Sequence, residues 1–164
     1  MSRLEDLINR FTAQRDVLNF AIGKIPAGAG EIAVELGLGS GRTYDHLREK
    51  LAGRKVYSFD RSDDAHPGCS PEGELFVEGE ITEQLPAFVK GREGRAFLVH
   101  MDVGTKSRAT DEALYRELEP NVMKLLVPGG ILVSDRPLFS PKWKEFDLSS
   151  MKLPWAYHCY RLEN

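Results

Sequence analysis

An α/β fold built on a doubly wound, mostly parallel sheet is what this sequence predicts, and three observations carry that expectation. Short apolar runs alternate with segments of helical periodicity along most of the chain. Ala96 to Met101 is apolar at nearly every position, as in a strand covered on both faces. Ile32 to Leu36 runs through a glycine-rich turn directly into a segment with helical spacing, the strand, turn and helix unit from which such sheets are wound.

The elements follow in order. Ser2 with Glu5 three residues later is a capping-box pattern, and Leu4, Leu7, Ile8, Phe11, Leu18, Ile22 and Ile25 recur near helical spacing until Pro26-Ala27-Gly28. This predicts an N-terminal helical segment within residues 1–28, packed on the rest. After the strand at 32–36, Tyr44, Leu47 and Leu51 give a helix its apolar stripe, stopped at Gly53. Lys55 to Asp60 reads as a second strand. Arg61 to Gly73, rich in Pro, Gly, Ser and Asp, must then cross over to a third at Glu74 to Val77. A short helix over Thr82 to Val89 has Thr82 as its cap and Pro86 limiting its length. Beyond the fourth strand at 96–101, Thr110 is placed to cap a helix through Leu126, in which Pro120 is expected to force a kink or a split. Pro128-Gly129-Gly130 turns into a fifth strand, Ile131 to Ser134, and Trp155 to Leu162 alternates like a last one. Pro137 to Pro154 shows no clear helix and strand pair.

At 164 residues the chain is expected to be one domain, 1–164, burying roughly 70% of its unfolded surface. With 29% charged residues and a formal net charge of −3, it lacks the basic balance of a nucleic-acid binder. Cys69 and Cys159 have no C-x-x-C neighbour, which points away from a metal knuckle or a disulfide framework. Acids stand where a signal peptide would be apolar, and no run approaches the ~18 apolar residues of a membrane span. The expectation is a cytoplasmic protein without membrane or nucleic-acid partners; homo-oligomerisation stays open.

The richest signal is Val34-Glu35-Leu36-Gly37-Leu38-Gly39-Ser40-Gly41. A buried strand that turns sharply while keeping its backbone bare for a ligand needs glycine, and the turn reads as a nucleotide-cofactor site. A dinucleotide fingerprint, G-x-G-x-x-G, would place its third glycine at 42, where Arg42 stands. Instead Glu35-x-Gly37-x-Gly39-x-Gly41 resembles motif I of the class I S-adenosylmethionine-dependent methyltransferases. The resemblance covers about residues 30–135. It implies a Rossmann-like sheet of seven strands with one antiparallel strand near the C-terminus, S-adenosyl-L-methionine as cofactor, and methyl transfer to a small-molecule substrate. It further implies that Gly37, Gly39 and Gly41 meet the methionine portion and that Glu35 orients its amino end. Asp60, at the end of the second strand, would hold the ribose hydroxyls, or be a turn residue only. Glu80 and the backbone of Ile81 match the place where family members hold adenine, with a solvated loop acid as the alternative for Glu80.

Catalytic candidates come from topology. Asp102 and Asp135 follow the fourth and fifth strands, whose carboxyl ends face the ligand crevice of an open parallel sheet. Either can take a proton from an acceptor hydroxyl or amine, and His100 is a third candidate unless it is a core histidine. The strand-four and strand-five acids also resemble the magnesium-holding pair of catechol-type O-methyltransferases, but Arg136 stands where those enzymes have an amide ligand, so no metal site is expected. Gly104 to Arg108, Gln14, Arg15 and Arg136 either edge the mouth, favouring an acidic substrate, or are solvated surface. A cofactor-binding protein without turnover, a metal-dependent catechol-type O-methyltransferase and a nicotinamide oxidoreductase are the rival readings.

Overall fold

The computed structural model describes residues 2–104 and 107–163; Thr105, Lys106 and the side chain of Arg108, expected near the mouth of the crevice, lie outside the described residues. Helix α1 is Arg3–Ile22, β1 Ile32–Leu36, α2 Arg42–Lys50, β2 Lys55–Asp60, β3 Phe76–Glu78, α3 Ile81–Val89, β4 Ala96–Met101, α4 Arg108–Leu125, β5 Leu126–Ser134, β6 Trp143–Glu145 and β7 His158–Leu162. The seven strands form one sheet in the order β3-β2-β1-β4-β5-β7-β6. β7 runs antiparallel to both of its neighbours, β5 and β6, and the other pairs are parallel. This is the doubly wound, mostly parallel arrangement the sequence predicts.

Alternation along the strands sorts side chains into two layers. Val34, Leu36, Phe59, Val99, Met101 and Leu132 pack with Leu85 and Phe88 of α3 and Tyr115, Leu118 and Val122 of α4. Ala33, Val56, Leu98, Ile131 and Val133 face the other way, onto Val17, Leu18 and Ala21 of α1 and Tyr44 and Leu47 of α2. The capping box forms as expected: Ser2 Oγ accepts from Glu5 N–H at 3.2 Å and Glu5 accepts from Ser2 N–H at 2.7 Å. Only the second half of α1 is buried on the sheet. Leu4, Leu7, Ile8 and Phe11 in its first half are 67, 40, 54 and 37% exposed, since these turns reach past the strand ends.

Several boundaries differ from the sequence reading. α3 starts at Ile81, with Glu80 and not Thr82 in the cap position. α4 starts at Arg108, with Ser107 ahead of it, and Thr110 inside the first turn donates to Ser107 Oγ at 3.0 Å. It also continues through Pro120, which faces solvent, where a helix can yield outward without disturbing its packed side. Gly73–Leu75 forms a 3₁₀ turn and β3 begins only at Phe76. β5 already pairs at Leu126, and Pro128-Gly129-Gly130 occupies the break in register before Ile131.

β6 falls within 137–154, where no strand was visible in the sequence. Glu119 of α4 secures the segment leading to it. This buried carboxylate accepts from the Ser140 N–H and the Trp143 indole N–H, each at 2.6 Å, and from Phe139 N–H at 3.3 Å. One side chain thus satisfies a stretch of irregular backbone that would otherwise be helix or be wet.

Candidate functional site

A cleft of about 550 Å³ opens at the carboxyl ends of β1, β2 and β4. Its floor is the turn from β1 into α2. There the chain runs backbone against backbone: a Cβ on Gly37 would lie 2.4 Å from the Asp102 carbonyl, and one on Gly41 would lie 2.8 Å from Cβ of Ala65 and of Cys69. Both glycines have positive φ, 98° and 77°. Their amides are engaged within the protein. Gly37 N–H donates to Phe59 O at 2.9 Å, and Gly41 N–H to Leu38 O at 2.8 Å. Gly39 N–H donates to Asp60 Oδ2 at 2.8 Å. What the turn presents to a ligand is therefore a bare surface, with a carboxylate fixed beside it.

Asp60 also accepts from the Arg61 N–H at 2.8 Å, and Arg61 pairs across the rim with Glu80 at 2.9 Å. Glu80, Ile81 and Thr82 form one bank and Val103, Gly104 and Leu114 another. The first half of α1 closes a third side with Leu7, Arg10, Phe11 and Gln14. Beyond α1 a smaller groove of about 390 Å³, lined by Ile8, Leu18, Arg15 and His46, shares Phe11, Gln14, Arg42 and Thr43 with the cleft.

Asp102 stands where α1 meets the end of β4. Both of its oxygens accept from Arg10, at 3.0 and 2.8 Å, and Oδ2 accepts from Gln14 at 2.5 Å and lies 3.2 Å from the Tyr157 hydroxyl. Asp135 sits behind this, accepting from Tyr115 of α4 and 3.7 Å from Arg136, which also pairs with the buried Asp111. Burial, and then the charge of Asp102, push the Asp135 carboxyl above the usual carboxylate range.

Glu35 and His100 do not line the cleft; they lie beneath it, fully buried. Strand register makes them neighbours, because Glu35 is the partner of Ser58 on one side and of His100 on the other. Glu35 accepts from Thr43 and from Ser58 Oγ at 3.4 Å, and its Oε1 lies 3.1 Å from His100 Nδ1. His100 Nε2 is 2.8 Å from the Tyr157 hydroxyl. The structure thus brings Gly37, Gly39, Asp60, Glu80, Ile81 and Asp102 to one cleft, leaves Gly41, packed on Ala65 and Cys69, and Asp135 outside its lining, and joins Glu35 and His100 to Asp102 from below through Tyr157. Arg10, Tyr115 and Tyr157 were not singled out from the sequence. The only sequence signal for the first was its place four residues before Gln14, on the same helix face.

A family model described as S-adenosyl-L-methionine methyltransferase matches residues 1–162. Among solved structures, the chain is similar to an S-adenosyl-L-methionine methyltransferase from Silicibacter pomeroyi DSS-3, at 35% identity and a TM-score of 0.86 over 99% of each chain. It shares a fold with the aminoglycoside resistance methyltransferase NpmB1, at 16% identity and a TM-score of 0.52 over 90% of this chain and 93% of that one. TrmN from Thermus thermophilus matches at 18% identity and a TM-score of 0.62, over 92% of this chain and 48% of TrmN. No curated protein matches the sequence. Among the described residues no helix is long and apolar enough to cross a membrane. The spacing of Glu35, Gly37, Gly39 and Gly41, the sheet order and a match that spans nearly every residue agree, and the chain belongs to the S-adenosyl-L-methionine methyltransferase family, an enzyme with S-adenosyl-L-methionine as its methyl donor.

Proposed function

We propose that the acceptor is a small molecule, bound between Asp102 and the α1 wall. The observation that carries this reading is the tie of Arg10 and Gln14 to Asp102, which draws α1 across the cleft and bounds the space beside the β4 end. The cations at the rim also favour it. Arg10 is paired with Asp102 and Arg61 with Glu80, while Arg42 bonds Ser40 and lies over the Phe11 ring at 5.0 Å, so among the described residues the cations lining the cleft are each engaged within the protein and form no open basic track for a polyphosphate chain.

The cleft suits the cofactor. Asp60, fixed by two backbone amides, keeps lone pairs for the ribose hydroxyls. Phe59, Leu38, Ile81 and Leu114 offer apolar walls for a purine. At Gly39, where a Cβ would meet no protein atom within 4 Å, the floor is open to a ligand. When bound, the cofactor supplies an already activated sulfonium methyl group, so the protein's work is chiefly to hold the partners in a near-attack pose. Asp102 is the residue placed to receive the acceptor's proton. Asp135 stands behind it as a second carboxyl with raised proton affinity, and Arg136 beside Asp135 and Asp111 supplies positive charge without a metal.

Incubation of the enzyme with methyl-labelled cofactor and a fractionated cell extract tests the acceptor class. Label should pass through a small-pore filter with low-molecular-weight product. Label retained on RNA or protein would overturn the small-molecule reading.

A further inference from the structure

Asp102, beside the proposed acceptor, already accepts from Arg10 twice and from Gln14. Beneath it lie three buried groups that the methyl-transfer reading leaves idle, Tyr157, His100 and Glu35, joined in a row to Asp102 by contacts of 3.2, 2.8 and 3.1 Å.

Counting hydrogens along this chain gives it a direction. Three contacts join the four groups, yet a phenol and a neutral imidazole bring only two hydrogens. With both carboxylates ionised, one contact lacks its hydrogen. The Tyr157 hydroxyl has one hydrogen and two neighbours to share it between, Asp102 Oδ2 at 3.2 Å, to which it donates, and His100 Nε2 at 2.8 Å. The Gln14 amide steadies this junction by donating to Asp102 at 2.5 Å and to the Tyr157 oxygen at 3.3 Å. A proton that arrives on Asp102 completes the row. His100 is faced by Glu35 from β1 and by Tyr157; its β5 register partner is the apolar Val133. Thr43 of α2 and Ser58 of β2 complete the donors to Glu35. Asp135 acts on Asp102 and Tyr157 through space.

We propose that the Tyr157 hydroxyl hands the proton taken up by Asp102 on to His100, and that Glu35 holds the resulting imidazolium. The inference rests on reading Asp102 as the group that receives the acceptor's proton. The X–H bond of the acceptor breaks as its lone pair takes the methyl group, and an O–H bond forms on Asp102. Asp102 then protonates the Tyr157 oxygen as that oxygen releases its own hydrogen to His100 Nε2. Asp102 returns to carboxylate, Tyr157 remains a neutral phenol, and the positive charge on His100 lies against the negative charge of Glu35. The reverse path resets the enzyme after product leaves. Tyr157 is in this account a positioning residue, acting through Asp102.

The test needs no acceptor. In the full chain labelled with ¹⁵N at histidine, pH titration follows the protonation of His100. Asp102→Asn should change its proton affinity several-fold, and in a Tyr157→Phe background the same substitution should change it little. An equal change in both backgrounds would reduce the effect to charge acting through space and overturn the relay, as would a His100 that stays neutral across the folded pH range. Should Tyr157→Phe fail to fold, the wild type decides: His100 Nε2 and the Tyr157 ring carbon bearing oxygen must titrate with one midpoint, and two separate midpoints overturn the proposal. Full methyl transfer by Asp102→Asn would remove Asp102 as the base whether or not the titrations are coupled, so the two failures are distinguishable.

Discussion

The carboxylate of Asp60 reaches back to the amide of Gly39 at 2.8 Å, so the end of β2 holds the turn that follows β1. In the proposed reading the same group takes the cofactor ribose. Asp60→Ala removes both contacts, and affinity for S-adenosyl-L-methionine or its demethylated product should fall by about 1.5–3 kcal/mol, the scale of hydrogen bonds to a charged group. Calorimetry checks it; unchanged affinity would leave Asp60 a turn residue only.

Gly41 and Gly39 should separate cleanly. A Cβ at 41 collides with Ala65 and Cys69 at 2.8 Å, whereas at 39 it meets nothing within 4 Å, although φ is positive at both. Gly41→Ala should cost at least the ~1–3 kcal/mol of backbone strain plus the clash, each kcal/mol lowering Tm by about 2–4 °C. Gly39→Ala should cost the strain alone. If Gly39→Ala melts lower, the close approach at 41 is not what constrains the turn.

Asp102→Asn keeps the shape of the acceptor end but removes the anion. Cofactor affinity should hold while turnover falls by ~10²–10⁴-fold, the usual contribution of a positioned base. Wild-type turnover should be indifferent to a chelator. Activity lost to the chelator and regained with Mg²⁺ would establish a metal requirement.

The raised carboxyl of Asp135 makes a prediction with a sign. Folding holds this group's pKa above its unfolded value, near 3.9, so its ionisation opposes the folded state. The penalty is absent below the unfolded value, where the group is protonated in both states, and is complete above the folded one. Asp135→Asn should therefore stabilise the protein at neutral pH, and the gain should vanish on acidification. Melting curves across pH decide; a gain that grows toward acid contradicts the sign.

Glu119→Ala should destabilise by on the order of 3 kcal/mol or more, since it strips a buried acceptor from three N–H donors. The amides of Phe139 and Ser140 should then exchange faster with solvent. Protection equal to wild type would show that β6 is held by strand pairing alone.

What the sequence disclosed was local. Val34 through Gly41 states strand, turn and cofactor in eight consecutive positions, and Asp60 gains meaning because a parallel sheet puts the end of β2 beside that turn. β6 was hidden because three residues, Trp143 to Glu145, are too few for alternation to show, and the strand exists only through pairing with β7 and the anchorage by Glu119. Pro120 misled because a proline's effect depends on which side of a helix it faces. Tyr157 was unreadable for a different reason: its partners His100 and Gln14 lie 57 and 143 positions away, and no spacing rule reaches that far.

That last separation bears on how the enzyme comes into being. The glycine floor, Asp60 and Asp102 are all present in a growing chain fifty-five residues before Tyr157 is made. A contact between residues 14 and 157 carries one of the largest loop-closure costs the fold can incur, and such contacts form late. In the proposed reading, the residues of the methyl-donor pocket are thus made before the strand that closes the acceptor end. Because β7 is also the strand that inserts between β5 and β6, the segment that completes the sheet is the one that brings Tyr157 to Asp102. Competence for chemistry and completion of folding then arrive together.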